Sequence, residues 1–425
     1  MKKYILIILC CLTSFPLWSY NVNMIVEHYS VDQGLPNNTV NCTLKDRDGF
    51  IWFGTWYGLC CFDGVKFKTF NKQEHDSDVP PRKIQRIVED KNGYIWVKTI
   101  DRKLYVFNKV TECFHAVYDD MKNYSENIQV IKLQNTAEGD VLLLTKDKNL
   151  LLAGVDEKGQ VTIKILFDSR DEINKHDYTL KHHVLCETEE YISWIGTDYK
   201  VSAVHKGAEL ASRPADFITS KINSGDKDSF TSFFEDGRKV WVGDRAGIFY
   251  SIDVRTGLVN RYVLSEIKGA ISNLLVTPAG YVYLSVAGQG TYEYDLAERR
   301  LQKINTEMND AMVTHAFIDQ YDKIWFHENE KALIYYDPLN HTAKRFPFTM
   351  FGKITTLYSE DAGERGLFFL SPAGEAWLFD REHAEMVYIN KLKQLSNDRA
   401  NQQFYHLMLD NDGVLWLSSA DEGVY

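Results

Sequence analysis

The residues of this chain that could do chemistry fall into a few short constellations, and most of them stop short of a complete site. Asp46-x-Asp48-Gly49 and Asp410-x-Asp412-Gly413 begin like a calcium loop, but neither goes on to the further oxygen ligands or the closing glutamate, so both read as hairpin turns. His182 and His183 are adjacent, and on a strand they point to opposite faces and cannot share a metal. His327-Glu328-Asn329-Glu330 lacks the second histidine of a zinc-protease helix. Gly288-Gln289-Gly290 has no following helix to present amides to a phosphate. No GxSxG elbow is present. Cys42, Cys60, Cys61, Cys113 and Cys186 lack CxxC spacing and read as small buried hydrophobes on strands. The expectation is therefore a protein without a catalytic site, metal or cofactor.

What would position a binding site is a repeat. Val40 to Phe70 and Ile84 to Phe107 share one order: an apolar strand, an acidic residue, a glycine turn, an Ile-Trp strand, a second turn and an aromatic strand. Similar units follow, and their second strands centre on Trp52, Trp96, Leu143, Trp194, Trp241, Tyr283, Trp325, Phe369 and Trp416, spaced 42 to 51 residues apart. Four short strands per period of about 45 residues, with no helical pattern, predict β-propeller blades. The strand around Trp52 is apolar on both faces, as a sheet sandwiched between neighbours requires. The pairs Asp48-Gly49, Asn92-Gly93 and Asp412-Gly413 supply the positive backbone angles of tight hairpins.

The string DRDGFIWFGTWYGLCCFDGVKF, preceded by YSVDQGLPNNTV, resembles the two-component-regulator propeller repeat of exported sensor regions in Bacteroidetes hybrid two-component systems. The resemblance runs over most of the chain, strongest in the first, second, fifth, seventh and ninth units. It implies an extracytoplasmic sensor that binds a glycan-derived oligosaccharide and, through a membrane helix and kinase, controls polysaccharide-utilisation genes. This chain resembles only the front of such a sensor.

Nine units exceed an ordinary ring, so the reading is an all-β chain: a seven-bladed β-propeller followed by the first blades of a second, incomplete one. Residues 1–19, with Lys2 and Lys3 before an apolar run, read as a cleaved signal peptide, which implies a periplasmic location. Residues 20–338 form the expected first ring, closed by Ile25 to Ser30 as the outer strand of blade seven beside Leu333 to Tyr336. Residues 339–425 begin the second ring, with Thr342 to Phe348 as its outer strand.

Propellers bind ligands at the face carrying the turns between second and third strands. Those turns present Trp56 and Tyr57, Arg102, Asp198 and Tyr199, Arg245, Gln289, and Glu328 and Asn329. Aromatic rings beside charged and amide groups suit a sugar, which needs a flat apolar surface and convergent hydrogen bonds. The connections Gln73 to Arg82, Asp168 to Asp177 and Arg213 to Ser229 would wall that face. A net charge of −11 argues against nucleic acid, and no later apolar stretch is long enough to span a membrane. The rival readings are a protein-interaction scaffold, with a partner or second copy on an exposed second-ring edge, and a propeller polysaccharide lyase or hydrolase.

Overall fold

The computed structural model describes residues 25–70, 80–122, 129–147, 149–167, 185–188, 190–195, 200–207, 217–221, 230–304, 313–328, 331–351, 358–371, 374–391, 404–410 and 412–425. The expected signal peptide and most of the three long connections lie outside these residues.

The chain is an all-β array of antiparallel meanders with propeller architecture. Eight four-stranded sheets and a two-stranded one follow in sequence order, each strand paired to the next in the chain. Their inner strands are Val40–Lys45, Ile84–Glu89, Val130–Asn135, Leu185–Glu187, Phe230–Glu235, Ile271–Val276, Val313–Ile318, Tyr358–Asp361 and Phe404–Leu409. The only α-helix among the described residues is one turn, Tyr118–Met121. No helix among them is long and apolar enough to cross a membrane.

Every residue named above as the centre of a second strand lies in one, and Trp96, Trp241, Trp325, Tyr283 and Phe369 are essentially without solvent contact. Both faces of these strands are apolar because each sheet shares a core with its two neighbours. Trp52, Leu59 and Phe70 of sheet one pack on Ile87, Val97 and Phe107 of sheet two, and the pattern continues around the array. Burying one such aromatic contributes about 1.5–3 kcal/mol, and packing between sheets outweighs any single hydrogen bond. Cys42, Cys60, Cys61 and Cys113 are free and buried. Burial pushes the Cys42, Cys60 and Cys61 thiols up to about 12, so they pack as hydrophobes rather than react as thiolates.

The expected closure at sheet seven is corrected by the pairing. Leu333 lies opposite Phe346 and Tyr336 opposite Ala343, so Thr342–Pro347 is the fourth strand of sheet seven itself. The reason is local turn chemistry. Asp337 accepts the Leu339 amide at 3.0 Å and the Asn340 side-chain N–H at 2.8 Å, and His341 takes a positive φ of 52°. This short turn folds the strand back at far less entropic cost than recruiting a segment 300 residues away.

Tyr29 instead bridges Val424, with mutual backbone bonds of 2.8 and 2.9 Å, so the N-terminal segment meets the outer edge of sheet nine through an isolated bridge. His28 stacks on Tyr425 at 4.5 Å. Trp325, Tyr335 and Phe346 of sheet seven share a core with Leu367, Phe369 and Phe379 of sheet eight. Leu370 of sheet eight packs with Leu417 and Tyr425 of sheet nine, and Trp416 and Val424 of sheet nine pack on Val40, Ile51 and Phe53 of sheet one. Inter-sheet packing therefore runs in a closed circuit, with the inner strands lining its axis.

Candidate functional site

The two ends of the sheets differ in chemistry. At one end lie the turns between first and second strands, called here the lower face. Asp46 accepts the amides of Asp48 and Phe50 through Oδ1, and its Oδ2 accepts the indole N–H of Trp52 at 2.7 Å. The same clasp recurs between Asp90 and Trp96, Asp236 and Trp241, Asp319 and Trp325, and Asp410 and Trp416. Gly49, Gly93 and Gly413 take positive φ in these hairpins, as their sequence predicts. The clasp itself escaped the sequence reading, although an aspartate five or six residues before each tryptophan was its signal.

A buried carboxylate needs a cation, and the adjoining sheet supplies it. Lys109 Nζ reaches Asp46 at 3.0 Å, Asp48 at 2.7 Å and Glu89 at 2.8 Å. These three acids are close enough together to hold a metal, but the Lys109 ammonium sits among them. The hydrogen bond from Lys109, and then its charge, hold the Asp48 carboxyl below the usual range. Arg381 likewise bridges Asp319 at 2.5 Å and Asp361 at 2.8 Å, and Lys206 meets Glu187 at 2.6 Å and Glu138 at 3.0 Å. The turn reading of Asp46-x-Asp48-Gly49 agrees with this arrangement.

At the upper face, a belt of backbone bonds joins the turns of the first three sheets. Trp56 donates its amide to Thr39 O and accepts from Lys83 N at 2.9 Å. Lys83 O accepts from Ile100 N at 2.9 Å, and Arg102 O accepts from Val130 N at 2.9 Å. The belt fixes Trp56, Tyr57 and Arg102 on one rigid arc. Trp56 is 45% exposed and Tyr57 61%, large values in a chain whose other described tryptophans are buried or half-buried, and Lys83 Nζ lies 5.4 Å from the Trp56 ring centroid. Arg102 is exposed and holds a positive φ of 68°, in a turn fixed by its own amide on Thr99 O at 2.9 Å and by the Lys103 amide on the Thr99 hydroxyl at 3.1 Å.

The remaining candidates divide. Arg245 is exposed on the corresponding turn of sheet five, whose shape is fixed by Asp244 accepting the Ala246 and Ile248 amides. Gln289 is occupied by the connection from sheet five to sheet six: its side-chain amide accepts from Lys268 N at 2.7 Å and donates to Glu266 O at 3.0 Å. Glu328 is buried and held by Arg345 through bonds of 3.0 and 3.1 Å, an ion pair that ties second and fourth strands of sheet seven. Asp198, Tyr199 and Asn329 lie outside the described residues.

Comparison with known proteins agrees with the repeat. Residues 34–57 match the two-component regulator propeller family. No curated protein matches the chain. Among solved structures, the extracellular domains of two hybrid two-component systems of B. thetaiotaomicron are similar at 14% and 17% identity, each over 92% of this chain, with TM-scores of 0.35. The chain spans 65% and 52% of their respective lengths. Virginiamycin B lyase from Staphylococcus aureus is similar at 11% identity over 71% of this chain and 94% of its own, with a TM-score of 0.40. What these comparisons and the geometry show together is an all-β propeller chain carrying a two-component regulator propeller repeat.

Proposed function

We propose that the chain is a non-catalytic, extracytoplasmic ligand-sensing module that binds a glycan-derived oligosaccharide at its upper face, as the ligand-reading part of a system controlling polysaccharide-utilisation genes. The observation that carries this reading is Trp56, held rigidly by backbone bonds on both sides yet left open to solvent beside Tyr57. A sugar ring stacks its C–H face on such a surface, and a rigid platform loses little entropy on binding. The repeat match over residues 34–57 ends at this very turn and supports the sensor assignment.

The test is calorimetric titration of the folded chain with a panel of plant and host oligosaccharides. At least one should bind, and Trp56→Ala should weaken it about tenfold, the loss expected when an aromatic contact worth about 1–1.5 kcal/mol is removed. A folded chain indifferent to the whole panel would overturn the proposal.

A further inference from the structure

Beside the Trp56 arc, sheet two gathers positive charge that no carboxylate among the described residues answers. Arg86 on the inner strand lies directly opposite Lys98 on the second strand Ile95–Thr99, at the upper end of the sheet. Arg102 follows in the turn that leaves that strand. Lys98 is only 7% exposed, and its Nζ donates to one neutral acceptor, Ile131 O of sheet three, at 2.5 Å. Burial, then the charges of Arg102 and Arg86, push its pKa below that of an ordinary lysine. Arg86 and Arg102 are exposed, and among the described residues no carboxylate pairs with any of the three cations. The nearest acid in sequence, Asp101, is already engaged by Thr99 and by Lys103 at 3.3 Å. His406 of sheet nine, bonded to Thr43 at 2.6 Å, faces the same region of the axis, and burial followed by the charge of Arg86 lowers its pKa, so it adds no counter-charge.

The contrast with the lower face makes this group informative. There a less buried lysine, Lys109, meets three carboxylates, whereas Lys98 meets none among the described residues. Two guanidiniums and an ammonium converging without an anion are suited to one supplied from outside, because guanidinium forks match planar or tetrahedral oxyanions.

We propose that Arg86, Lys98 and Arg102 bind an oxyanion of the ligand, either the carboxylate of a hexuronate residue or a sulfate ester, while Trp56 takes an adjoining sugar ring. This rests on the oligosaccharide reading above but narrows it to acidic glycans, despite the chain's net negative charge.

The experiment compares three probes on the full chain: a hexuronate-containing disaccharide, its neutral hexose counterpart, and inorganic sulfate against chloride at constant ionic strength. The acidic disaccharide should bind at least tenfold more tightly than the neutral one. Sulfate should raise the melting temperature and compete with it. Arg86→Gln and Arg102→Gln, both exposed and so expected to fold, should each lower the acidic affinity about tenfold, and Arg86→Gln should leave any neutral binding unchanged. Binding of neutral sugars alone, with no sulfate effect, would overturn the acidic-ligand proposal while leaving the oligosaccharide reading in place. Arg86-dependent sulfate binding without any glycan ligand would support the anion site and overturn the oligosaccharide reading.

Discussion

The lower and upper faces of the propeller use charge in opposite ways. On the lower face, buried aspartates close their own hairpins, grip the next tryptophan and are neutralised from the adjoining sheet, as Asp46 is by Lys109 and Asp319 by Arg381. On the upper face of sheet two, Lys98 is buried with one backbone carbonyl and no carboxylate among the described residues, and Trp56 is left in solvent. The upper end pairs its buried Glu328 with Arg345, yet leaves Lys98 without a counter-charge among the described residues. On the reading proposed above, the lower face stabilises the array and the upper face takes the ligand.

The largest way to break this comparison is Lys109→Met. It strands the fully buried Asp46 carboxylate beside Glu89 and Asp48, and should cost about 3 kcal/mol in urea unfolding, the low end for a broken buried pair because Asp48 is open to water. Next comes Trp96→Phe, which keeps the ring but removes the indole N–H from Asp90, for about 1–3 kcal/mol. Trp52→Phe should cost less, since Lys109 still holds the Asp46 oxygen.

Lys98→Met should have the opposite sign, leaving stability unchanged or slightly raised, because it removes a desolvated cation with no counter-ion. The pH dependence follows. Lys98 has a folded pKa below its unfolded one, so the unfolded chain binds more protons between the two values, and wild-type stability gains on the variant as pH rises towards the ordinary lysine range. A difference that is flat in pH would remove the claim that Lys98 is held at a cost.

The smallest effect is at acid pH. Asp48 is depressed by Lys109, so its contribution is full above the ordinary carboxylate range and fades as pH falls through its lowered value. Acid unfolding curves should therefore be shallower in Lys109→Met than in the wild type.

The blade pattern was legible because Trp52, Trp96, Trp325 and their equivalents recur at one spacing, and each must be large and flat to fill a gap between sheets. The hairpins were legible because Gly49 and Gly93 sit where only glycine is relaxed. Closure was not. Tyr29 and Val424 meet through a single backbone bridge that leaves no pattern in either segment, whereas the turn that returns Thr342–Pro347 onto sheet seven was hidden behind Pro338. For the site, strand-to-strand turn positions could be read, but not their use. Glu328 was spent on an arginine 17 residues ahead, and Lys98 looked like an ordinary strand residue until its neighbours were known.

Amide hydrogen exchange of the full chain, with and without the tightest-binding oligosaccharide of the panel, tests the division of labour most directly. Protection should concentrate at residues 56–58, 83–86 and 98–103, with the hairpins at 46–50 and 90–94 unchanged. Protection centred on those lower hairpins, with the upper turns unaffected, would contradict it.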